Sequence, residues 1–149
     1  MTKTKFHRHE FALRAALIFC LAPVVVAQTA TVEARDAWVR LPLPSKNETA
    51  LYVTVENHSA QKREIVSASS EVADRVELHE MKMIKTMMAM TPVSQVALPA
   101  RGKAVFDPNG FHIMLFALKS KLAVGDKVNA TLTLDDGTTL SFTADVRKK

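Results

Sequence analysis

The sequence predicts an all-β sandwich, on three observations. Apolar residues recur at every second position through much of the chain beyond residue 30, which is typical of strands with one buried face. Short clusters of Pro, Gly, Asn and Asp separate these stretches. The same region has no convincing long helical pattern, so we expect many short strands around one core.

The alternation and its breaks predict the strands in order. The hairpin at the end of the chain is the clearest, because Asp135-Asp136-Gly137 separates two alternating stretches and a glycine after Asp readily takes the positive φ of a tight turn. The predicted strands span residues 32–40, 51–55, 63–69, 75–83, 87–93, 103–106, 111–118, 128–134 and 140–146.

The first 27 residues have the pattern of a secretory signal peptide. A basic head is followed by a charge-free run over 15–26, and Val25 and Ala27 are small residues before a cut after Ala27. An uncleaved anchor is disfavoured, since the run is shorter than about 20 residues and Pro23 interrupts it. Lipidation of Cys20 is disfavoured by the bulky Phe19 before it. We therefore predict a signal peptide over 1–27 and one domain over 28–149.

Removal of the signal peptide changes which functions the composition allows. It takes away four basic residues and one acidic residue, so 16 basic residues face 14 acidic ones in the mature chain. This charge argues against nucleic acid as a partner. Cys20 is the chain's one cysteine, so no thiol nucleophile remains, and there is no G-x-S-x-G or phosphate-binding glycine motif. We expect a monomer that is not an enzyme and has no membrane span.

Methionine and histidine are concentrated in two places. Five of the seven methionines lie between residues 81 and 90, directly after His79, and His112 and Met114 share a later predicted strand. Because residues i and i+2 of a strand point to the same side, His79 and Met81 should project together, as should His112 and Met114. The sequence thus brings imidazoles and thioethers to two strands.

This set of side chains has a metal preference. Thioether sulfur is soft and imidazole is borderline, so together they suit Cu(I) better than Zn(II), Mg(II) or Ca(II). The alternative is that the methionines simply fill an irregular core beside satisfied histidines.

The spacing of four residues resembles a known motif. His79, Met90, His112 and Met114 follow the order H-x10-M-x21-H-x-M of the periplasmic copper chaperone family PCu(A)C. Two positions depart from that family, because loop 41–46 lacks a glycine that relatives often have and Thr86 replaces a common turn glycine. Further segments that resemble family blocks are 36–40, 52–57, 76–79, 88–93 and 110–115.

The resemblance implies a cupredoxin-like Greek-key β-sandwich that binds one Cu(I) near its surface. The four motif residues are the implied metal ligands, and Met81 and Met88 are auxiliary candidates. The implied role is delivery of copper in the periplasm for cytochrome c oxidase assembly. The implied partner is subunit II of the oxidase, reached directly or through a thiol-bearing assembly factor.

Three other functions stay open at this point. One is periplasmic sequestration of copper, and another is an interaction module without metal transfer. An electron-transfer cupredoxin is disfavoured, since blue-copper sites need a Cys thiolate. His58 lies in a predicted turn, and we expect it to be exposed to solvent rather than to bind a metal.

Overall fold

Strands make up most of residues 31–148, which are the residues described by a computed structural model. No helix occurs among them, so the all-β prediction is confirmed. The predicted signal peptide and its cleavage point lie outside the described residues. The strands are β1 Val32–Arg40, β2 Glu48–Asn57, β3 Arg63–Ser70, β4 Ala73–Ile84, β5 Met87–Pro92, β6 Val96–Leu98, β7 Lys103–Phe106, β8 Phe111–Leu118, β9 Lys127–Leu134 and β10 Thr139–Arg147.

All ten strands belong to one open sheet. Their order is β5-β4-β8-β7-β2-β1-β10-β9-β3-β6, and β8 also pairs with β2. The pairs β1–β10 and β7–β8 are parallel, whereas the other pairs are antiparallel. Residues from both halves of the strand order meet in one core, so the sheet folds over on itself as the layers of a sandwich do.

The period-two pattern of the sequence becomes the inner face of this sheet. On β9, Val128, Ala130, Leu132 and Leu134 are buried, and the residues between them are exposed or half-buried. Ile113 and Leu115 face the same core from β8. The alternation therefore fixes which face of each strand packs inward.

Strand β8 departs from this alternation, because residues 112–115 are all buried. Ile113 and Leu115 belong to the main core, while Met114 packs in a second cluster with Ala50 and Tyr52. Trp38 and Phe116 pack against that second cluster. The sheet is thus covered on its outer side at this point, next to His112.

The hairpins that end the sheet follow local backbone preferences. Gly137 has a φ of 83° in the predicted turn between β9 and β10, which confirms that hairpin. Strands β4 and β5 are joined by Lys85 and Thr86, and it is Lys85 that takes the left-handed conformation, with a φ of 56°. A glycine at position 86 is therefore not required by a positive φ.

One strand was not predicted from the sequence. Strand β6, Val96–Leu98, has three residues, which is too short for a period-two pattern to be recognised. Within residues 31–148 there is no helix of the length and apolarity that spans a bilayer.

Replacement of Lys85 tests the turn that joins β4 and β5. Lys85→Gly should raise the free energy of unfolding by up to about 1 kcal/mol, because glycine avoids the cost of a side chain at positive φ. Thr86→Gly is the matched control and should lower stability slightly, since it only adds flexibility. Urea denaturation measures both. Equal effects of the two substitutions would contradict the assignment of the left-handed position to Lys85.

Candidate metal centre

The register of β4 places the predicted ligands on one face of the sheet. Strand β4 pairs with β5 on one side and with β8 on the other, both antiparallel and without a register shift at the site. Residues directly opposite each other project to the same side, so the predicted pairs do share a face. We call this the outer face, since the main core lies on the other side. The opposed pairs are Glu77 with Met114, His79 with His112, Met81 with Met90, and Met83 with Met88.

The two histidines are neighbours at the centre of this arrangement. Their ring centroids are 5.9 Å apart, with 46° between the ring planes. His79 is 6% exposed and His112 is 4% exposed. Both imidazoles are therefore buried, although His112 also lines the groove described below.

The two ring nitrogens of His79 differ in their hydrogen bonding. Its Nε2 lies 2.8 Å from a carboxylate oxygen of Glu77, and since a carboxylate only accepts, Nε2–H is the donor. The proton on Nε2 leaves a lone pair on Nδ1. That atom is buried and has no hydrogen-bond partner among residues 31–148. A buried nitrogen lone pair of this kind fits a metal ion as its partner.

His112 is held in the opposite tautomer by the backbone. Its Nδ1–H donates to the carbonyl oxygen of Gly110 at 3.1 Å, which leaves the lone pair on Nε2. The same carbonyl also accepts the Met81 N–H at 3.0 Å. Burial lowers the pKa of His112 below its ordinary value; the Gly110 hydrogen bond opposes this shift and the neighbouring His79 adds to it. The imidazole is therefore held neutral, the form that binds metal.

The methionines differ in exposure. Met114 is 7% exposed and packs with Ala50 and Tyr52. Tyr52 stacks on Trp38 with ring centroids 4.4 Å apart. Met90 is 47% exposed, so the predicted partial exposure holds for that ligand and not for Met114.

A groove of about 850 Å³ opens beside these ligands. Met81, Met90, His112 and Met114 line one part of it. Another part is formed by loop 41–46, which contains two prolines and Leu43. A ligand on another molecule could approach the sulfur atoms through this opening.

The combined donor set favours a soft monovalent ion. Two imidazoles and several thioethers share one face of adjacent strands, and the carboxylate beside them, Glu77, is engaged with His79 and with Arg75 at 3.1 Å. Such a set suits Cu(I) and lacks the oxygen ligands that Mg(II) and Ca(II) require. His79, His112, Met90 and Met114 lie on adjacent strands of one face, with Met81 opposite Met90. Met88 is one pair farther from the histidines.

Glu77 was not predicted from the sequence as part of the site, and His58 was predicted to be exposed rather than to bind a metal. Glu77 precedes His79 by two residues on the same strand, which was the available signal. His58 is exposed and lies 3.4 Å from Glu33 and 3.8 Å from Glu56. Arg35 already binds both of those carboxylates, at 2.8 and 3.0 Å, so this group is an exposed ion-pair network.

Comparison with known proteins gives relatives along most of the chain. Residues 32–146 match the family described as "Putative lipoprotein LpqE-like". A protein of Leifsonia xyli subsp. xyli named "Putative lipoprotein Lxx21020" is 32% identical over 109 residues, which are 72% of this chain. The match covers 64% of that protein, so this chain spans less than two thirds of its relative's length.

Solved structures with the same fold include copper proteins. The apo form of DR1885 from Deinococcus radiodurans is 34% identical and has a TM-score of 0.63, over 100% of this chain and 97% of that one. Its Cu(I) form has a TM-score of 0.58 over 85% and 83% of the two chains. The copper-bound PCuAC domain of PmoF2 is 20% identical, with a TM-score of 0.66 over 80% and 94%, and shows the fold alone. The resemblance to PCu(A)C proteins and the predicted fold class are thereby confirmed.

Titration of His112 tests the described environment. Its pKa should lie below the ordinary value of about 6.5, because burial disfavours the imidazolium. The unfolded chain then takes up this proton at higher pH than the folded chain. The contribution of His112 to stability should therefore decrease as pH falls below about 6.5, until the lowered pKa is passed. Imidazole NMR of the metal-free protein measures both the pKa and the Nδ1–H tautomer, and a pKa above 6.5 would contradict the buried site.

Proposed function

The chain belongs to the LpqE-like family and shares its fold with PCuAC domains, and from this premise we propose that it is a periplasmic Cu(I)-binding metallochaperone. It is a carrier and not a catalyst. Copper is its cargo, held by His79, Met90, His112 and Met114. Met81 and Met88 are auxiliary ligands.

One observation carries this proposal. Two buried imidazoles face each other across β4 and β8, and each has one nitrogen fixed by an acceptor and the other left with a lone pair. Fixing the tautomer in this way is how proteins orient metal-binding histidines. Thioethers on the same face add soft ligands, and the Cu(I) form of the related DR1885 supports the choice of metal.

The donor set argues against electron transfer as the function. A blue-copper centre uses a Cys thiolate, and none occurs among residues 31–148. A site without thiolate is suited to holding Cu(I) in a compartment that oxidises cysteines. The predicted signal peptide and the lipoprotein names of the family and of its Leifsonia relative support a location outside the cytoplasm.

Delivery of the metal requires an acceptor that binds more tightly. Thioethers are neutral and exchange one at a time, so a partner that enters the groove beside Met90 can replace them without releasing free copper. Each tenfold preference of the acceptor supplies about 1.4 kcal/mol. Charged thiolates provide such a preference. We therefore propose copper delivery to subunit II of cytochrome c oxidase, or to a thiol-bearing assembly factor, with sequestration as the second candidate.

Substitutions in the site should lower the Cu(I) affinity, whether they remove a proposed ligand or the carboxylate that orients one. His112→Ala and Met114→Leu should each lower it more than about tenfold, because each removes a ligand; leucine preserves the volume of the buried Met114. Glu77→Gln should lower it about 10–100-fold, since the amide no longer fixes the His79 tautomer. Competition with a coloured Cu(I) chelator under anaerobic conditions measures all three.

Met87→Leu is the matched control for these variants. Met87 is 73% exposed and opposes Ile84. This pair is one residue away from Met83 and Met88, so its side chains point to the other face of the hairpin. Its loss should leave the Cu(I) affinity unchanged, with folding of every variant checked by circular dichroism. If Met87→Leu were as damaging as Met114→Leu, the methionines would be binding collectively and the four-residue site would be wrong.

A deletion strain distinguishes delivery from sequestration. Loss of a delivery protein should lower cytochrome c oxidase activity when copper is scarce, and added copper should restore it. Complementation with the wild-type gene and with the His112→Ala variant provides the control. Normal oxidase activity at the lowest copper, together with sensitivity to high copper, would favour sequestration.

A further inference from the structure

The methionine pair at the tip of the β4–β5 hairpin is outside the four-residue site. Met83 and Met88 lie directly opposite each other on the outer face. Directly opposed residues have Cβ atoms about 4.5–5.5 Å apart, so two flexible thioether side chains can bring their sulfurs to one ion. Met83 is 63% exposed and Met88 is 51% exposed, so an ion in solvent can reach both.

Exposure decreases from this tip toward the histidines. Next to the tip pair lies Met81 with Met90, and Met90 is 47% exposed. Beyond that pair lie His79 and His112, at 6% and 4%. Successive pairs on one face are about 6.6–6.8 Å apart, since a strand rises about 3.3–3.4 Å per residue. Thioether pairs therefore form a row from solvent to the buried imidazoles.

The other face of the hairpin carries charged and aliphatic side chains besides Met87. There Ile84 opposes Met87, and Lys82 forms an ion pair with Glu80 at 2.6 Å. The charged side chains next to the tip on β4 thus lie on the face opposite Met83 and Met88. Thioethers without a carboxylate beside them on β4 disfavour hard cations and favour Cu(I).

We propose that Met83 and Met88 form a second, weaker Cu(I) site that receives copper and passes it inward. The proposal rests on the proposed function, because the inner site is its destination. Two thioethers bind more weakly than imidazoles and thioethers together, so copper moves toward the histidines. In the transfer, a sulfur of Met81 or Met90 binds the ion before a tip sulfur leaves. Copper stays Cu(I): copper–sulfur bonds at the tip break as copper–sulfur bonds to Met81 or Met90 form, and copper–nitrogen bonds to the imidazoles form last.

Anaerobic titration of the protein with Cu(I), followed by NMR of ¹³C-methyl methionine and of the imidazoles, tests this site. The wild type should bind two equivalents, the first shifting His112 and Met114 and the second shifting Met83 and Met88. The variant Met83→Leu, which keeps the auxiliary ligand Met88, should bind one equivalent, with the affinity of the first unchanged within about twofold. Met87→Leu, an exposed methionine on the other face, should still bind two.

The outcomes separate this proposal from the function it rests on. Binding at the histidines with no second equivalent would overturn the tip site and leave the chaperone proposal standing. Loss of the second equivalent in Met87→Leu would also overturn the tip site, because the second copper ion would then depend on exposed thioethers in general and not on the pair of Met83 and Met88. Copper that never shifts His112 in the wild type would instead overturn the inner site.

Discussion

The site depends on the register of β4 between its two neighbouring strands. A shift of one residue against β8 would carry His79 to the core side and separate it from His112, because side chains alternate with a period of two. Leu78 and Ile113, which lie opposite each other in the core, fix that register through burial. The hydrophobic pattern that folds the sheet therefore also brings the candidate metal ligands onto one face, through strand pairing alone.

Burial of the histidines would be costly if their polar atoms were not satisfied. Each ring uses one nitrogen as a donor, to Glu77 or to the Gly110 carbonyl, and keeps the other as an acceptor. The second cluster, built around Met114 and Tyr52, lies on the same outer face of the sheet, next to His112. Burial lowers the pKa of His112, which favours its neutral form, the form that the proposed copper binding needs.

Most of the strands and part of the candidate site could be predicted from the sequence, for a physical reason. Alternation gave most of the strands and the shared face of His112 and Met114, because a buried face requires apolar residues at every second position. The burial of the two histidines could not be read from local pattern, since it depends on strand pairing that places them side by side and on contacts such as that of His79 with Phe116 on β8. The left-handed turn residue, Lys85 rather than Thr86, likewise follows from strand pairing and not from residue preference. Spacing predicted four candidate ligands, whereas the tautomers of the two histidines follow only from their hydrogen bonds.

The tautomer of His79 is itself coupled to the aromatic cover. Glu77, which accepts from His79, also pairs with Arg75 at 3.1 Å. The Arg75 guanidinium lies over the ring of Phe116, 4.4 Å from its centroid, and Phe116 in turn lies 5.9 Å from the His79 ring. These contacts form a ring of four side chains on the outer face. Arg75 packs on Phe116 and positions the Glu77 carboxylate, which accepts the hydrogen bond from His79. Because each group restrains the next, the lone pair of His79 is already oriented, and the proposed copper binding would require little reorganisation of the buried imidazoles. Four methionines of the hairpin are 47% to 73% exposed, so their thioethers can adapt. This division between fixed imidazoles and adaptable thioethers suits the proposed role of holding copper and also releasing it.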